Sequence, residues 1–351
     1  MVTPLLPLTA RHTVAIIGAG ISALACAQVL ASSGASITLF DKARGPGGRM
    51  SSKRRFDTKL DLGAQTFSVR STEFQSAVDA WLDNGCVATW PTRTYQASST
   101  GWQTLNDGQT RYTGAPSMSA LTRYLADSLT TLPHVELYAQ TLIASLKRVH
   151  NGWQLIDSRG TCYGPYDHVV ISAPAPQAYS LVADWDQTLA SACQTREQRA
   201  CWAGWAIFDR PLPRLTDVDP DWQMARVTHP ALRLVSRNQT KPGRDTPQES
   251  LSLLAQLDWS EAHLEDSADL IAEQLVAALR SIFPTRVTLP TPIDVGAHRW
   301  RYAQPASPGE QIYLYNANGL ALCGDSYLTG RVEDAWLSGH RLGEALINRP
   351  L

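Results

Sequence analysis

The spacing of apolar positions opens the chain on a strand, a turn, a helix and a second strand. Val14 to Ile17 is an apolar run of strand length. Gly18-Ala19-Gly20 follows, then an Ala- and Leu-rich helical stretch that ends at Gly34, a favourable residue just past a helix C-terminus. Ile37 to Phe40 is the next apolar run, and Asp41 closes it. Asp61 and Gly63 mark a turn, with a strand expected from Gln65 onward. Gly114 to Leu129 shows Met118, Leu121, Leu125 and Leu129 at helical spacing. Val135–Tyr138, Leu142–Val149 and Gly152–Ile156 have β character, and the buried strand Val169–Ile171 stops at Ala173-Pro174-Ala175-Pro176. The pattern changes from Gln177 to Asp294. Ala200–Phe208 and Leu251–Trp259 are expected strands, Arg210–Pro220 a proline-rich loop and Ser236–Arg244 a basic turn. Leu264–Phe283 is an expected amphipathic helix carrying Leu270, Ile271, Leu275, Leu279 and Phe283 on one side, stopped by Pro284. At the end, Leu320–Cys323 runs into Gly324-Asp325, and a helix starts near Val332 with Ala335, Trp336, Gly339, Leu342 and Leu346 at helical spacing.

Two glycine-rich segments give this pattern its chemistry. In Gly18-Ala19-Gly20-Ile21-Ser22-Ala23, Gly18 permits a tight turn and Gly20 lets backbone approach a pyrophosphate at the helix N-terminus. Ala23 replaces the third glycine of the dinucleotide fingerprint, a position that governs helix–strand packing. Asp41 lies 23 residues beyond Gly18, near the roughly 20 expected of an acid that bonds a ribose hydroxyl. The second segment, Arg44-Gly45-Pro46-Gly47-Gly48-Arg49-Met50-Ser51-Ser52, adds two cations and bare backbone N–H groups just beyond that acid. A nicotinamide site does not usually need this second cradle, and a two-part phosphate site of this kind points to FAD. The C-terminal strand, Gly324-Asp325 turn and helix can place a carboxylate on a ribityl hydroxyl or a phosphate-bound water, and a helix N-terminus toward developing negative charge.

Composition narrows the function classes. At 351 residues the chain is long enough for two domains, and its net charge of −1 argues against a nucleic-acid or membrane-surface role. No apolar stretch reaches the about 18 residues that a membrane-spanning helix needs. Met1 to His12 has no basic residue ahead of an apolar core, so it reads as a short disordered lead-in rather than a signal peptide. Cys26, Cys86, Cys162, Cys193, Cys201 and Cys323 include no CxxC and read as reduced, mostly buried thiols of a cytoplasmic protein. The eight histidines are dispersed, and no metal site is expected. Of the eleven tryptophans most must be core, with Trp202 and Trp205 the candidates to wall a flat ligand.

Four segments together resemble the FAD-binding pattern of the flavin amine oxidase superfamily: Gly18–Ala23, Arg44–Ser52, Val169–Pro176 and Cys323–Gly339. Within that group the chain most resembles the bacterial renalases, through Asp41–Gly45, Arg49–Arg54, Gly63–Gln65, Ser172–Gln177, Lys241–Arg244, Ala297–Trp300 and the Gly324–Gly339 run. The resemblance implies an α/β fold: a Rossmann-like FAD-binding domain interwoven with a mixed α+β substrate domain, in the manner of p-hydroxybenzoate hydroxylase and the amine oxidases. The FAD-binding domain is expected over 1–67, 114–176 and 306–351, and the substrate domain over 68–113 and 177–305. The resemblance further implies that Gly18 and Gly20 form the turn, that the Ile21 and Ser22 N–H groups face the pyrophosphate, and that Asp41 binds the adenosine ribose with Lys42 and Arg44 nearby. Gly48 and Arg49 hold the phosphates or the flavin side. Gln65 and Thr66 approach the isoalloxazine, Ile143 meets adenine through its backbone, and Ala173 belongs to the same site. Asp325 binds the ribityl–phosphate portion, and the Val332 N–H approaches the pyrimidine edge. The substrate cavity is expected between the domains, lined by Thr66, Phe67, Ser68, Val69, Arg70, Trp202, Asn238 and Trp300. Thr66 stands where an aromatic residue is expected.

Renalase-type enzymes oxidise the 2- or 6-dihydro isomers of NAD(P)H to NAD(P)+. Flavin takes the hydride and O2 reoxidises it, giving H2O2. This chemistry needs no protein base, so no catalytic residue is assigned. Ring positioning within roughly 3–3.5 Å and exclusion of water carry it. The FAD is expected to be non-covalent, because no cysteine sits in a recognisable flavin-linking motif. The expected partners are a dihydronicotinamide and O2, with no nucleic acid and no membrane; the oligomeric state is left open. Three alternatives stand beside this reading: a flavin-dependent amine oxidase, a non-catalytic flavin- or nucleotide-binding protein, and an NAD-only dehydrogenase.

Overall fold

The computed structural model describes residues 12–216 and 218–348. The lead-in expected over Met1–His12 therefore lies, up to residue 11, outside the described residues. The chain packs as two units, each assembled from separated stretches: 1–48, 122–198 and 304–351 in the first, 49–121 and 199–303 in the second.

The first unit is built on a six-stranded sheet. Its order is Tyr313–Tyr315, Leu320–Cys323, His168–Ile171, Thr13–Ile17, Ser36–Phe40 and Val135–Tyr138. All neighbours are parallel except the first pair. Strands buried on both faces read as continuous apolar runs, which is why Val14–Ile17 and Val169–Ile171 were legible. Ala15, Ile17, Val169 and Ile171 point into a core shared with Leu146, Trp153, Leu155 and the helices Ala175–Val182 and Gln187–Gln194. The alternate residues point to the opposite face, on which the first helix, Ile21–Ser32, and the last, Val332–Ile347, pack against each other and the sheet.

The second unit is built on a seven-stranded sheet, in the order Asp294–Pro305, Gln198–Phe208, Glu249–Ala255, Leu232–Arg237, Met224–Val227, Thr94–Ser98 and Gly101–Thr104. One face carries Trp202, Ala206, Phe208, Leu251 and Leu253 against Ile271, Leu275 and Leu279 of the helix Ala268–Ser281. The other carries Ala203, Trp205, Ile207 and Leu254 against Leu60 and Leu62. Leu60 belongs to the hairpin Ser52–Arg55/Thr58–Asp61.

Several expectations are corrected. No strand starts at Gln65; the segment is irregular apart from a bridge between Phe67 and Tyr112. The strand expected over Leu251–Trp259 ends at Ala255, because Gln256 begins the helix Leu257–Ala262, which contains Trp259. The helix expected from Leu264 starts at Ala268, where the Ser267 hydroxyl accepts from the Leu270 N–H. Leu270 faces solvent. Residues 49–67 and 114–121 pack with the second unit and 177–198 with the first; Leu60 and Leu62 join the seven-stranded sheet's core while Leu181, Val182 and Leu189 join the six-stranded sheet's core. All six cysteines are free thiols, five of them buried and Cys162 exposed. Among the described residues no helix is long and apolar enough to cross a membrane.

Candidate functional site

In the first unit, parallel register lines up the C-terminal ends of four neighbouring strands: Phe40, Ile17, Ile171 and Cys323. That edge is where open α/β sheets bind ligands. Gly18 turns there with φ +111°, and a Cβ on it would stand 2.8 Å from the Ser172 carbonyl oxygen, so neither the backbone angle nor the space admits a side chain. Its N–H donates to the Phe40 carbonyl at 2.7 Å. Gly20 then caps the first helix without a capping side chain, and the first turn carries no acid. The N–H end of that helix, at Ile21 and Ser22, therefore has no capping side chain.

Asp41 shapes the turn. One carboxylate oxygen accepts from the Ala19 N–H at 2.7 Å and the other from the Ala43 N–H at 2.7 Å. Lys42 and Arg44 are exposed on the same loop, Lys42 Nζ lying 3.3 Å from Gln177 Oε1. The second glycine segment is tied directly to the first, because the Gly47 N–H donates to the Ala19 carbonyl at 2.9 Å. A Cβ on Gly20 would meet nothing within 4 Å, and one on Gly48 would find only Gly20 Cα, at 3.7 Å. The two glycines thus lie side by side, Gly48 turned toward Gly20 and Gly20 turned toward open space. Ile143, buried at the start of its strand, follows a connection held by the Gln140 and Thr141 N–H groups on the Ala43 and Asp41 carbonyls, each at 2.8 Å.

On the far side of the same edge, Gly324 has φ +142° with open space at its Cβ position. Its N–H donates to Ser338 Oγ at 2.8 Å, fixing the turn to the last helix. Asp325 is buried beside it. Val332 opens the last helix, whose first turn is closed by the Asp334 carboxylate accepting from the Thr329 and Arg331 N–H groups at 3.0 and 3.2 Å. Ala173 lies one residue past Ser172, whose backbone closes over Gly18. The first unit therefore gathers Gly18, Gly20, Ile21, Ser22, Asp41, Gly48, Ile143, Ala173, Asp325 and Val332 along one sheet edge and its adjoining loops.

The second unit holds Arg49, whose Nη1 donates to the Ala303 carbonyl at 2.9 Å. It also holds a charged cluster that sequence reading missed. Asp61, Lys241 and Arg244 have side chains 0, 0 and 2 % exposed. Lys241 Nζ donates to Asp61 Oδ2 at 2.7 Å, to Gln65 Oε1 at 3.2 Å and to the Gln65 carbonyl at 3.3 Å. Arg244 bonds the same Asp61 oxygen, and Ser52 Oγ and the Met118 N–H bond the other. Burial pushes the Asp61 carboxyl up, but the charges of Lys241 and Arg244 and the hydrogen bonds from Lys241 and Ser52 outweigh it and bring it to about 2. Burial pushes Lys241 down, Arg244 adds to that, and Asp61 only partly restores it, leaving it at about 8.

The expected substrate residues separate here. Phe67 is buried, Thr66, Ser68 and Val69 are half-buried, and Arg70 is exposed. Trp300 is half-buried, with its indole N–H on the Leu62 carbonyl at 2.8 Å. Two expectations are corrected. Trp202 lies in the helix-side core with its indole N–H on the His263 carbonyl at 2.9 Å. It is three residues from Trp205, so strand alternation puts the two rings on opposite faces of the sheet. Asn238 is fully buried and its amide is occupied: Nδ2 donates to Ser252 Oγ at 2.9 Å, and Oδ1 accepts from Arg244 at 3.0 Å and the Asp61 N–H at 3.3 Å. Neither lines an open surface. The missed cluster left only faint marks in the sequence, an acid ending the strand Thr58–Asp61 and the isolated basic segment Lys241-Pro242-Gly243-Arg244.

Residues 16–84 match the family model of the NAD(P)-binding Rossmann-like domain, and residues 80–347 that of the flavin-containing amine oxidoreductases. Among solved structures, a candidate protoporphyrinogen oxidase from Exiguobacterium sp. 255-15 is similar at 14% identity and TM-score 0.74, with 97% of this chain and 99% of that chain covered. A triple mutant of putrescine oxidase is similar at 12% identity and TM-score 0.71, with 97% and 99% covered. An oxidoreductase from Methanosarcina mazei is similar at 12% identity and TM-score 0.70, with 95% and 100% covered. At these identities the likeness establishes the fold, a Rossmann-like domain joined to an amine-oxidase-like one. The family match covers most of the chain, and with it the chain belongs to the flavin-containing amine oxidoreductases and is a flavin-dependent oxidoreductase.

Proposed function

We propose that this protein is an FAD-dependent oxidase of isomeric dihydronicotinamides, converting 2- or 6-dihydro-NAD(P) to NAD(P)+ in the manner of the renalases. The observation that carries the cofactor is the pairing of two glycine segments, Gly48 packed beside Gly20 and Gly47 bonded to Ala19, at the head of a helix with no capping side chain. A single pyrophosphate turn, as in an NAD-only dehydrogenase, leaves no reason for the second glycine segment to be pinned to the first. FAD, held non-covalently, supplies the hydride acceptor and, with a proton and O2, yields H2O2. In the first unit, Ile21 and Ser22 N–H groups and Gly48 hold phosphate, Asp41 takes the ribose, Ile143 meets adenine, and Asp325 takes the ribityl portion. In the second unit the renalase resemblance assigns Arg49 to phosphate or flavin and Gln65 and Thr66 to the isoalloxazine. A dihydropyridine gives up its hydride without losing a carbon-bound proton to a base, so flat positioning and polar anchoring of the carboxamide suffice.

The choice among flavin oxidases is supported by renalase-like segments in both units, Lys241–Arg244 and Ala297–Trp300 among them. A second reading, a flavin amine oxidase, is favoured by the likeness to putrescine oxidase, of which a putrescine-bound wild type is also similar at TM-score 0.66. Anaerobic mixing of the FAD-loaded protein with each dihydronicotinamide isomer, with ordinary 4-dihydro-NADH and with monoamines or putrescine separates the two. Fast bleaching of the flavin band by a 2- or 6-dihydro isomer, and slow bleaching by the others, is the expected result. Bleaching by an amine alone moves the protein to the second reading. Acid precipitation should release the flavin to the supernatant, and flavin that stays with the pellet would refute non-covalent binding.

A further inference from the structure

The segment from Gly63 to Thr66 belongs to no strand or helix, yet it is held through Ala64 and Gln65. The Ala64 N–H donates to the Arg49 carbonyl at 3.0 Å, and the Gln65 amide nitrogen donates to the Asp61 carbonyl. The Gln65 carbonyl accepts from Thr113 Oγ1 at 3.3 Å. What joins Gln65 to a charge is the Lys241 ammonium. An ammonium has three protons and no acceptor, and Lys241 faces three acceptors: Asp61 Oδ2, Gln65 Oε1 and the Gln65 carbonyl. No proton is spare, and the Trp90 ring lies 4.8 Å from the nitrogen. The charged groups against it are Asp61 and Arg244, and the neighbouring Arg237 and Glu249 neutralise each other through a paired bond at 2.7 Å.

We propose that Lys241 is a positioning residue whose ammonium sets Gln65 and the Gly63–Thr66 segment, so that loss of one proton releases one of the two bonds to Gln65. The consequence for catalysis rests on the reading above, in which Gln65 and Thr66 meet the flavin. The effect on the segment itself does not. A neutral amine keeps two donors for three acceptors. Asp61, as the charged acceptor, retains one, and the two Gln65 oxygens compete for the other. With burial holding Lys241 at about 8, the release falls in the mildly alkaline range.

The test is amide hydrogen exchange on the flavin-free protein, corrected for the intrinsic pH dependence of exchange. Ala64 and Phe67, whose N–H groups donate to the Arg49 carbonyl at 3.0 Å and the Tyr112 carbonyl at 2.9 Å on either side of Gln65, should exchange slowly at pH 6.5 and faster above pH 8. The rise should be roughly tenfold, the population equivalent of one net hydrogen bond. In Lys241→Met the same amides should exchange fast at every pH, while the strand Glu249–Ala255 keeps its wild-type protection. Wild-type protection of Ala64 and Phe67 in a folded Lys241→Met protein would overturn the proposal, and so would a flat wild-type profile across pH 8. If the variant does not fold, the wild-type profile alone decides. A protein that binds no FAD, or that leaves dihydronicotinamides unoxidised, sinks the functional reading without altering these exchange rates.

Discussion

Gly339→Ala isolates the packing that carries the glycine turn at the head of the first helix. Gly339 lies in the middle of the last helix, where a Cβ would overlap the Ser22 carbonyl oxygen and stand 2.6 Å from the carbonyl carbon and 3.0 Å from Cα. All three atoms are backbone of the first helix, so no side chain can rotate away. Restoring ordinary contact at roughly 3.5 Å from the carbonyl oxygen requires the helices to part by about 1.7 Å, more than the about 1 Å gap that already forfeits about half of each dispersion contact along the shared face. Overpacking of this kind costs about 1–3 kcal/mol, and a rigid backbone partner places Gly339 at the upper end. Replacing a mid-helix glycine by alanine returns about 1 kcal/mol of helix propensity. The net expectation is a loss of about 2 kcal/mol, read in urea as a lower midpoint at unchanged slope. Because Ser22 lies in the first turn of that helix, FAD binding should weaken as well. Wild-type stability in Gly339→Ala would show that the two helices are not closely packed and would refute this account of the turn.

Gly20→Ala should separate binding from folding: its Cβ meets nothing within 4 Å, so the flavin-free protein should keep its melting temperature while FAD affinity falls, measured by fluorescence titration. Asp61 has a folded pKa depressed to about 2, so its contribution is present above the ordinary carboxylate range and is lost as pH falls through that value. Wild-type stability should therefore drop by on the order of 2 kcal/mol between about pH 4 and pH 2 from this group. Asp61→Asn should lack that step and be less stable at pH 7, because it strands two buried cations; chemical denaturation at stepped pH reads both. A thiol reagent should modify one cysteine of the native protein quickly, the exposed Cys162, whereas the other five are buried. A second fast thiol would contradict the packing around them.

The parts of the fold that the sequence revealed are those encoded within one segment. Val14–Ile17, Gly18, Gly20 and Asp41 lie within a single turn-and-helix unit, so composition and spacing over some thirty residues suffice to read them. The Gly324 turn was legible for the same reason: an apolar run, a glycine and a helical pattern adjoin. The charged cluster was not, because Asp61 and Lys241 are 180 residues apart and each alone looks like surface chemistry. Asn238, expected on the substrate wall, sits in a basic segment whose residues carry no mark of burial. Only the strand that delivers it beside Ser252 and Arg244 shows that its amide is consumed. Trp202 failed differently, since period-two alternation was available from the sequence and already separated it from Trp205.

The grip of Asp41 on two backbone N–H groups has a consequence for how a cofactor is captured. Both carboxylate oxygens are oriented by the protein before any ligand arrives, one by the glycine turn at Ala19 and one by its own loop at Ala43. The acid therefore stands as a fixed peg rather than a swinging arm, and a ribose that docks on it freezes no additional rotamer. Ordering a flexible side chain on binding costs about 0.5–1.5 kcal/mol, a term already met here during folding. Preorganisation of this sort makes empty protein a ready template, so reconstitution with the dinucleotide should proceed in one concentration-dependent phase without a slow rearrangement behind it.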